Sequence, residues 1–421
     1  MRHCLPLLLI ALMALPVHGQ EAANAPPDDP DAAESAASEV PLAEIRRFVG
    51  VFNAVRDAYV EPVDDAELMQ AAVKGLLRDL DPHSMYFDKD DADAFEEETQ
   101  GAYPGIGVEV QPQPDGTILV VAPIDGTPAA KAGIKPRDLI VAVDGKPLTP
   151  SADGSETLRG KPGTQVVLTI AREGAEDPLE ITVTRDTIRI ASVRGRMLEP
   201  GFGYVRVAAF QADTATDFER VLAGLQDESG GLKGLVLDLR SNPGGLLNAA
   251  VEAADALLDD GVIVVTKGRL AFANARYHAK PGDLADGAPV VVLVDAGTAS
   301  AAEVLAGALQ DHRRATVMGS RTFGKGSVQT VVPLENGDSV KLTTARYYTP
   351  DGRSIQARGI RPDIVIRGEA SRGLREQDLP GHLRGDDEAA DGFAMGEVVE
   401  GDGAIRKALA HLKRRGARSA D

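Results

Sequence analysis

The run GLVLDLRSNPGGLLNAAVEAADALL, residues 234–258, decides how the chain is read. Gly234–Leu239 is an apolar stretch of strand length. Ser241-Asn242-Pro243-Gly244-Gly245 interrupts it, and Leu246, Ala250, Ala253, Ala254 and Leu257 then recur at helical spacing. The same order returns in PVVVLVDAGTASAAEVLAGAL, residues 289–309. Here an apolar strand over Pro289–Val294 meets a loop over Asp295–Thr298 and a helix from Ala299 to Leu309. Strand, tight loop and helix in alternation predict βαβ units, and so a mostly parallel sheet covered by helices. Functional groups in such sheets gather beyond the carboxyl ends of strands, where both loops lie.

Upstream, Gly101 to Asp186 has a different texture. Short β runs at Ile106–Val110, Ile118–Val121, Leu139–Val143, Gln165–Ala171 and Leu179–Val183 are punctuated by Gly, Pro and Asp-Gly turns. That predicts one small β-rich domain. Before it, Ile45, Phe48, Val49, Phe52, Val55 and Tyr59 recur at three and four, predicting an amphipathic helix. A second helix covers Asp64 to Leu80 and stops at Asp81-Pro82. Beyond about Gly368 the chain turns polar and charged through Ala390, then closes with a basic helix over Ala404–Arg415.

The amino terminus reads as an address. Met1-Arg2-His3 precedes a 14-residue apolar run from Cys4 to Val17, and Val17-His18-Gly19 supplies small residues for cleavage after Gly19. This fits a secretory signal peptide; the run is short for a membrane span. Gln20 to about Val40 is rich in Ala, Pro, Asp and Glu and predicts a disordered acidic linker. An exported chain with a bacterial leader is expected in the periplasm, a compartment without ATP.

Composition removes several classes. The 421 residues carry 45 Lys and Arg against 64 Asp and Glu, a net charge of −19, which disfavours nucleic acid as the main partner. The one cysteine, Cys4, lies in the leader, so disulfides, thiolate metal clusters and a cysteine nucleophile are excluded. No H-x-x-x-H pair is present for a zinc hydrolase.

Three stretches remain for chemistry. Gly297-Thr298-Ala299-Ser300-Ala301-Ala302-Glu303 sets a serine among small residues at a strand-to-helix turn, beside free N–H groups. Taken alone, Thr298 or Ser300 reads more readily as a helix N-cap. Gly319 to Gly326 nearly matches a phosphate-binding G-x-x-x-x-G-K-[ST] loop. Gly326 stands where the hydroxyl belongs, and Ser327–Leu334 reads as a strand instead of a helix, so that reading fails. What is left is Lys325 between two glycines, a general base if burial lowers its pKa and a solvated surface lysine otherwise. Gln329, four residues on, shares its face at period two and is placed to orient the amine. Asp238 to Gly245 offers a Pro-Gly-Gly turn whose N–H groups can hold an oxyanion, or a plain loop. Together the three supply the parts of acyl transfer. A Ser–His–Asp triad competes, but His83, His278, His312, His382 and His411 are poorly set for it. His312, between Asp311 and Arg313, reads as a solvated helix end.

These motifs resemble those of the carboxyl-terminal processing, tail-specific (S41) serine endopeptidases. The likeness runs from about residue 42 to 368. It includes Leu80-Asp81-Pro82-His83-Ser84, Gly105-Ile106-Gly107-Val108 and the three stretches above, with Thr298 where the family often has Ser. The resemblance implies Ser300 as nucleophile, Lys325 as general base and Gln329 as the residue positioning it. It implies an oxyanion hole of N–H groups from Gly244 or Gly245 and from Ala301. Asp311 is the positional equivalent of an aspartate assigned in some members, and Glu303 is either a site group or a helix surface charge. The β-rich segment is identified with a PDZ domain whose Gly105, Ile106, Gly107 and Val108 capture a substrate C-terminus. Arg159 is a candidate polar latch.

The expected fold is therefore multi-domain α/β: a βαβ-type protease core with an inserted β-rich PDZ domain and helical N- and C-terminal segments. The boundaries are a signal peptide at 1–19, the linker at 20–41, a helical region at 42–100 and the PDZ domain at 101–187. The protease core follows at 188–368, and a tail and helix that can serve oligomerisation at 369–421. The expected function is an exported endopeptidase that cuts apolar C-terminal tails of envelope proteins without metal or cofactor. Homo-oligomers and recruitment by a helical-repeat adaptor lipoprotein, with or without peripheral membrane association, belong to the same expectation. A catalytically silent PDZ scaffold and a non-proteolytic acyl-transfer enzyme are the alternatives.

Overall fold

The computed structural model describes residues 40–150, 156–367, 374–386, 397–400 and 403–418. The expected signal peptide and all but the last residues of the linker lie outside the described residues. The described residues up to Ala71 form one compact unit and those from Ala72 onward a second.

The two expected helices are α1 (Leu42–Ala58) and α2 (Asp65–Arg78). α1 has Glu44 and α2 has Asp65 and Glu67 in the first turn, and each has an arginine in its last, which suits the helix dipole. In α1 the rings of Phe48 and Phe52, one turn apart, lie 6.5 Å centre to centre, yet no residue of α1 is buried. Two elements follow that periodicity does not announce, β1 (Met85–Phe87) and α3 (Lys89–Gln100). The first is only three residues long, and seven of the twelve residues of α3 are charged. Caps hold α3 instead: Asp88 accepts from Asp91 N–H, and Gly101 ends the helix at φ 66°.

The β-rich domain is an antiparallel sheet inserted through a two-stranded ribbon. The ribbon pairs β2 (Ala102–Gly105) with a strand at the domain's exit, β9 (Asp186–Arg189). Between them run β3 (Val108–Pro112), β4 (Ile118–Pro123), the short helix α4 (Pro128–Lys131), β5 (Leu139–Val143), β6 (Lys146–Pro147), β7 (Gln165–Ala171) and β8 (Leu179–Thr184). The strand order is β3-β4-β5-β7-β8, which leaves β3 on an edge. Ile106, Ile118, Val120, Ile140, Leu168 and Ile170 form its own core.

The remaining chain alternates as expected. In order come β10 (Val193–Glu199), β11 (Phe202–Val207), α5 (Thr214–Ser229), β12 (Gly234–Asp238), α6 (Leu247–Asp255), β13 (Val262–Gly268) and β14 (Ala275–His278). They are followed by β15 (Val290–Val294), α7 (Ala301–Asp311), β16 (Ala315–Gly319), β17 (Ser327–Pro333), β18 (Ser339–Tyr348), β19 (Ile364–Arg367), β20 (Glu397–Glu400) and α8 (Ala404–Arg418). Seven strands form a sheet ordered β10-β11-β12-β15-β16-β19-β20, parallel except for the β10–β11 pair. Alternate residues serve opposite faces. Leu235, Leu237, Val290, Val292 and Val294 share a core with residues of α5, α6 and α7, while Val236, Val291 and Leu293 pack with Ala408 and Leu412 of α8. The basic C-terminal helix thus spends its apolar side on the sheet.

A second, antiparallel sheet runs β1-β18-β13-β14, with β17 also paired to β18. Its strands come from residues 85, 262, 275, 327 and 339 onward; of these only β17, read as a strand over Ser327–Leu334, is announced by the sequence. This sheet, and not the parallel one, carries the Lys325–Gln329 segment.

Candidate active site

The loops after β12 and β15 meet beyond the carboxyl ends of their strands, as parallel-sheet geometry requires. Thr298 Oγ1 donates to Leu239 O (2.8 Å) and accepts from Asp295 N–H (3.0 Å). Asp295 Oδ1 accepts from Ser241 N–H (2.7 Å), and Ala299 N–H donates to Asn242 O (2.9 Å). Thr298 is fully buried and is a cross-loop tie, not a helix cap.

Ser300 is the N-cap of α7, yet its backbone sits at φ 55°, ψ −120°. A non-glycine residue there costs on the order of 1–3 kcal/mol, a strain that clusters at functional turns. The cap and nucleophile readings are thus compatible: the residue starts the helix in a conformation an ordinary cap does not use. Gly244 lies against it; a Cβ on Gly244 would stand 2.7 Å from Ser300 Cβ. The buried phenol of Tyr347 faces the Ser300 side chain, and burial pushes its pKa up.

Glu303 is no surface charge: it is fully buried. Its Oε2 accepts from Ser300 N–H (2.8 Å) and Lys325 N–H (2.9 Å), and its Oε1 from Gly324 N–H (2.8 Å) and the Thr322 hydroxyl. Burial pushes its carboxyl above the usual range, and the four donors oppose that shift and hold it as the carboxylate. Two donors on each oxygen are a set suited to an ionised carboxylate.

Lys325 lies two residues before β17, in the loop Glu303 anchors. Burial, and then the positive charge of Lys341, bring its amine down to about 8; Glu376, Glu303 and Asp81 oppose the shift. It is therefore not a solvated surface lysine, and a useful fraction of it is neutral near neutral pH.

Gln329 Nε2 donates to Ser327 Oγ (3.0 Å) and Thr343 Oγ1 (3.1 Å). Both amide hydrogens are used, which fixes the group and leaves Oε1 as the atom to face an amine. A β-bulge at Val328–Gln329 breaks the period-two alternation, so the shared face inferred from spacing does not follow from spacing alone.

Of the oxyanion candidates, Gly244 N–H is spent on Asn242 Oδ1 (2.9 Å). Gly245 N–H and Ala301 N–H have no acceptor among the described residues. Gly245 has φ 131°, and a Cβ there would lie 2.1 Å from Phe210 O. Glycine is required at that position.

Asp311 is at the far end of α7, roughly 16 Å from Ser300 at 1.5 Å per residue. Its carboxylate holds Arg353 and accepts Asp351 N–H (2.9 Å), so the structure does not bring it to the site. Arg159 pairs with Glu97 of α3 and lies over the Tyr103 ring, 5.4 Å from its centre. It thus ties the β-rich domain to the helix before it. In the loop before β3, Ile106 is buried with its carbonyl on Ala129 N–H (2.8 Å), and Gly107 O accepts from Ile124 N–H (3.0 Å). His312 is not a solvated helix end; its Nε2 meets Val262 O at 2.7 Å.

Two residues beside the site escaped sequence reasoning. Tyr347 falls in an unremarkable strand, and Glu376 in the polar tail beyond residue 368. Only Glu376's own complete burial marks it out, and composition carries no sign of that.

Residues 201–366 match the peptidase family S41 model, residues 119–172 a PDZ domain, and residues 13–91 the activating protease CtpB N-terminal domain. The chain is 44% identical over 370 residues to a carboxy-terminal-processing protease of Bartonella bacilliformis, covering 85% of each chain. It is 36% identical over 318 residues to the carboxy-terminal processing protease CtpA of Bacillus subtilis, covering 74% of this chain and 67% of the relative. Among solved structures it is similar to a photosystem II D1 C-terminal processing protease: 34% identity, 76% of this chain and 91% of the other, TM-score 0.44.

Proposed function

The chain belongs to peptidase family S41 as a carboxy-terminal processing serine protease with a PDZ domain, and from that premise we propose that it works through a Ser300–Lys325 dyad. The observation that carries this reading is the single Glu303 carboxylate holding the backbones of both residues, with the Lys325 amine desolvated beside it.

In the proposed reaction Ser300 Oγ gives up its proton to the neutral Lys325 amine as it attacks the scissile carbonyl. Gly245 N–H and Ala301 N–H receive the oxyanion. The Lys325 ammonium protonates the leaving amine, and an ester remains on Ser300. Water, deprotonated by Lys325, releases the product and returns the enzyme. Gln329 Oε1 orients the amine. No cofactor enters these steps.

Substrate selection falls to the PDZ domain. The edge position of β3, next to the Gly105–Val108 loop, supports capture of a tail by strand addition. The leader supports export to the periplasm, where envelope proteins with apolar C-terminal tails are the proposed substrates. Homo-oligomers and an adaptor lipoprotein remain part of the proposal.

The test uses purified residues 20–421 and the Ser300→Ala variant on an unstructured protein with an apolar C-terminal tail, with products read by mass spectrometry. Cleavage by the wild type alone is expected. Cleavage by both would remove Ser300 as nucleophile.

A further inference from the structure

The loop that carries Lys325 is held from a second side, opposite in role to Glu303 but similar in chemistry. Glu376, in the segment after β19, is completely buried. Its own N–H donates to Phe323 O (3.1 Å). Its Oε1 accepts from Gln356 Nε2 (2.9 Å), and Gln356 Oε1 accepts Gly326 N–H (2.9 Å). Glu376 therefore reaches the backbone on both sides of Lys325, directly at Phe323 and through Gln356 at Gly326. The approach is close: a Cβ on Gly326 would stand 2.2 Å from Gln356 N.

A buried carboxylate needs a partner, and this one has His83. Its Nε2 meets Glu376 Oε2 at 2.8 Å, with the His83 side chain 17% exposed and that of Glu376 1%. Because a carboxylate only accepts, the imidazole donates from Nε2. His83 is itself fixed in the turn Asp81–Ser84, where Asp81 Oδ1 accepts the N–H groups of His83 (2.8 Å) and Ser84 (3.0 Å). The same Asp81 oxygen accepts from Thr343 Oγ1 (3.1 Å), which accepts from Gln329 Nε2 (3.1 Å). One four-residue turn before the PDZ domain thus touches both partners of the base: its loop through His83 and Glu376, and its orienting amide through Asp81 and Thr343.

We infer that His83 and Glu376 form a buried positioning pair that holds the Lys325 loop in register with Ser300. This rests on the reading of Lys325 as the general base. The pair does not touch substrate; it acts through Gln356 and the Phe323–Gly326 backbone. Misplacing a reacting group by about 1 Å costs on the order of 100-fold in rate. Glu376 also contributes charge. Among the groups facing Lys325, Lys341 of β18 disfavours the ammonium, while Glu376, Glu303 of α7 and Asp81 favour it.

The test is made on the purified chain with Glu376→Gln, His83→Gln and the double variant, beside Ser300→Ala and Lys325→Ala. Melting temperature, kcat and KM on the tailed protein, the pH profile of kcat/KM, and labelling of Ser300 by a fluorophosphonate are measured. Each folded single variant should lose roughly tenfold or more in kcat, with KM within about twofold. The double variant should be no worse than the weaker single, as expected of residues acting as one unit. Glu376→Gln should also move the acid limb to lower pH, because a negative charge favouring the ammonium is gone; a purely structural role would leave that limb in place. A folded His83→Gln with wild-type kcat and labelling rate, alongside an inactive Lys325→Ala, overturns the pair and leaves the dyad standing. Full activity in Lys325→Ala overturns the dyad itself. Failure of both single variants to fold makes the pair a folding element and overturns the positioning role.

Discussion

Ser300 and Lys325 share one hydrogen-bond acceptor. The backbone N–H groups of both, 25 positions apart in sequence, donate to the same oxygen of Glu303 at 2.8 and 2.9 Å. The nucleophile's strained turn and the base's loop are therefore set by one carboxylate, on the helix that Ser300 itself begins. Replacing Glu303 by Gln puts a donor where two donors already point. Folded protein with kcat down roughly 100-fold is expected. Glu303→Ala leaves three N–H groups and a hydroxyl without their acceptor and should melt at least roughly 5 °C lower. Wild-type kcat in folded Glu303→Gln would remove the carboxylate from the machinery.

Local patterns exposed part of this arrangement, and the reason is physical. The alternation around Gly234 and Pro289 is a local signal, so β12, α6, β15 and α7 were legible, and with them the loops that meet at Ser300. In the antiparallel sheet under Lys325 only β17 reads as a strand; β18 also pairs with β1 and β13, from residues 85 and 262 onward, and pairing over such separations leaves no periodic trace. For the same reason the sequence leaves Glu303 open between a site group and a surface charge. Its burial depends on Thr322 and Gly324 arriving from another element. Gly244 shows the opposite limit: the glycine is conspicuous in the sequence, but nothing there signals that Asn242 Oδ1 takes its N–H.

The oxyanion assignment separates the two glycines of the turn. Gly245 sits at φ 131° with Phe210 O where a Cβ would go, and its N–H is uncommitted. Gly245→Ala must displace that N–H by moving the turn. Loss of roughly 100-fold or more in kcat is expected, with KM little changed. Steady-state kinetics on folded variant measures it, and an unaltered kcat would move the oxyanion hole elsewhere.

Asp311 offers a converse test. Its carboxylate is committed to Arg353 and to Asp351 N–H, an α7 length away from Ser300. Asp311→Asn should keep activity within about twofold and cost about 1 kcal/mol in denaturant unfolding. A large loss of kcat at unchanged stability would restore it as a catalytic candidate.

The base should reveal itself in pH dependence. With the Lys325 amine at about 8, kcat/KM should rise through that pH and flatten above it, since only the neutral amine takes the Ser300 proton. At pH 7 most of the amine is the ammonium, so activity there lies well below its plateau. The sign of the tuning can be tested at Lys341, the charge that most disfavours the ammonium after burial. Its amine lies over the rings of Phe87 and Phe95, 5.8 and 4.6 Å from their centres, so its stem is packed and Met can replace it in place. Lys341→Met removes a positive neighbour, favours the Lys325 ammonium and should carry the acid limb to higher pH, lowering activity at pH 7 while sparing the alkaline plateau. A limb that stays in place would remove Lys341 from the tuning. The absence of any limb near 8 in the wild type would count against Lys325 as the base.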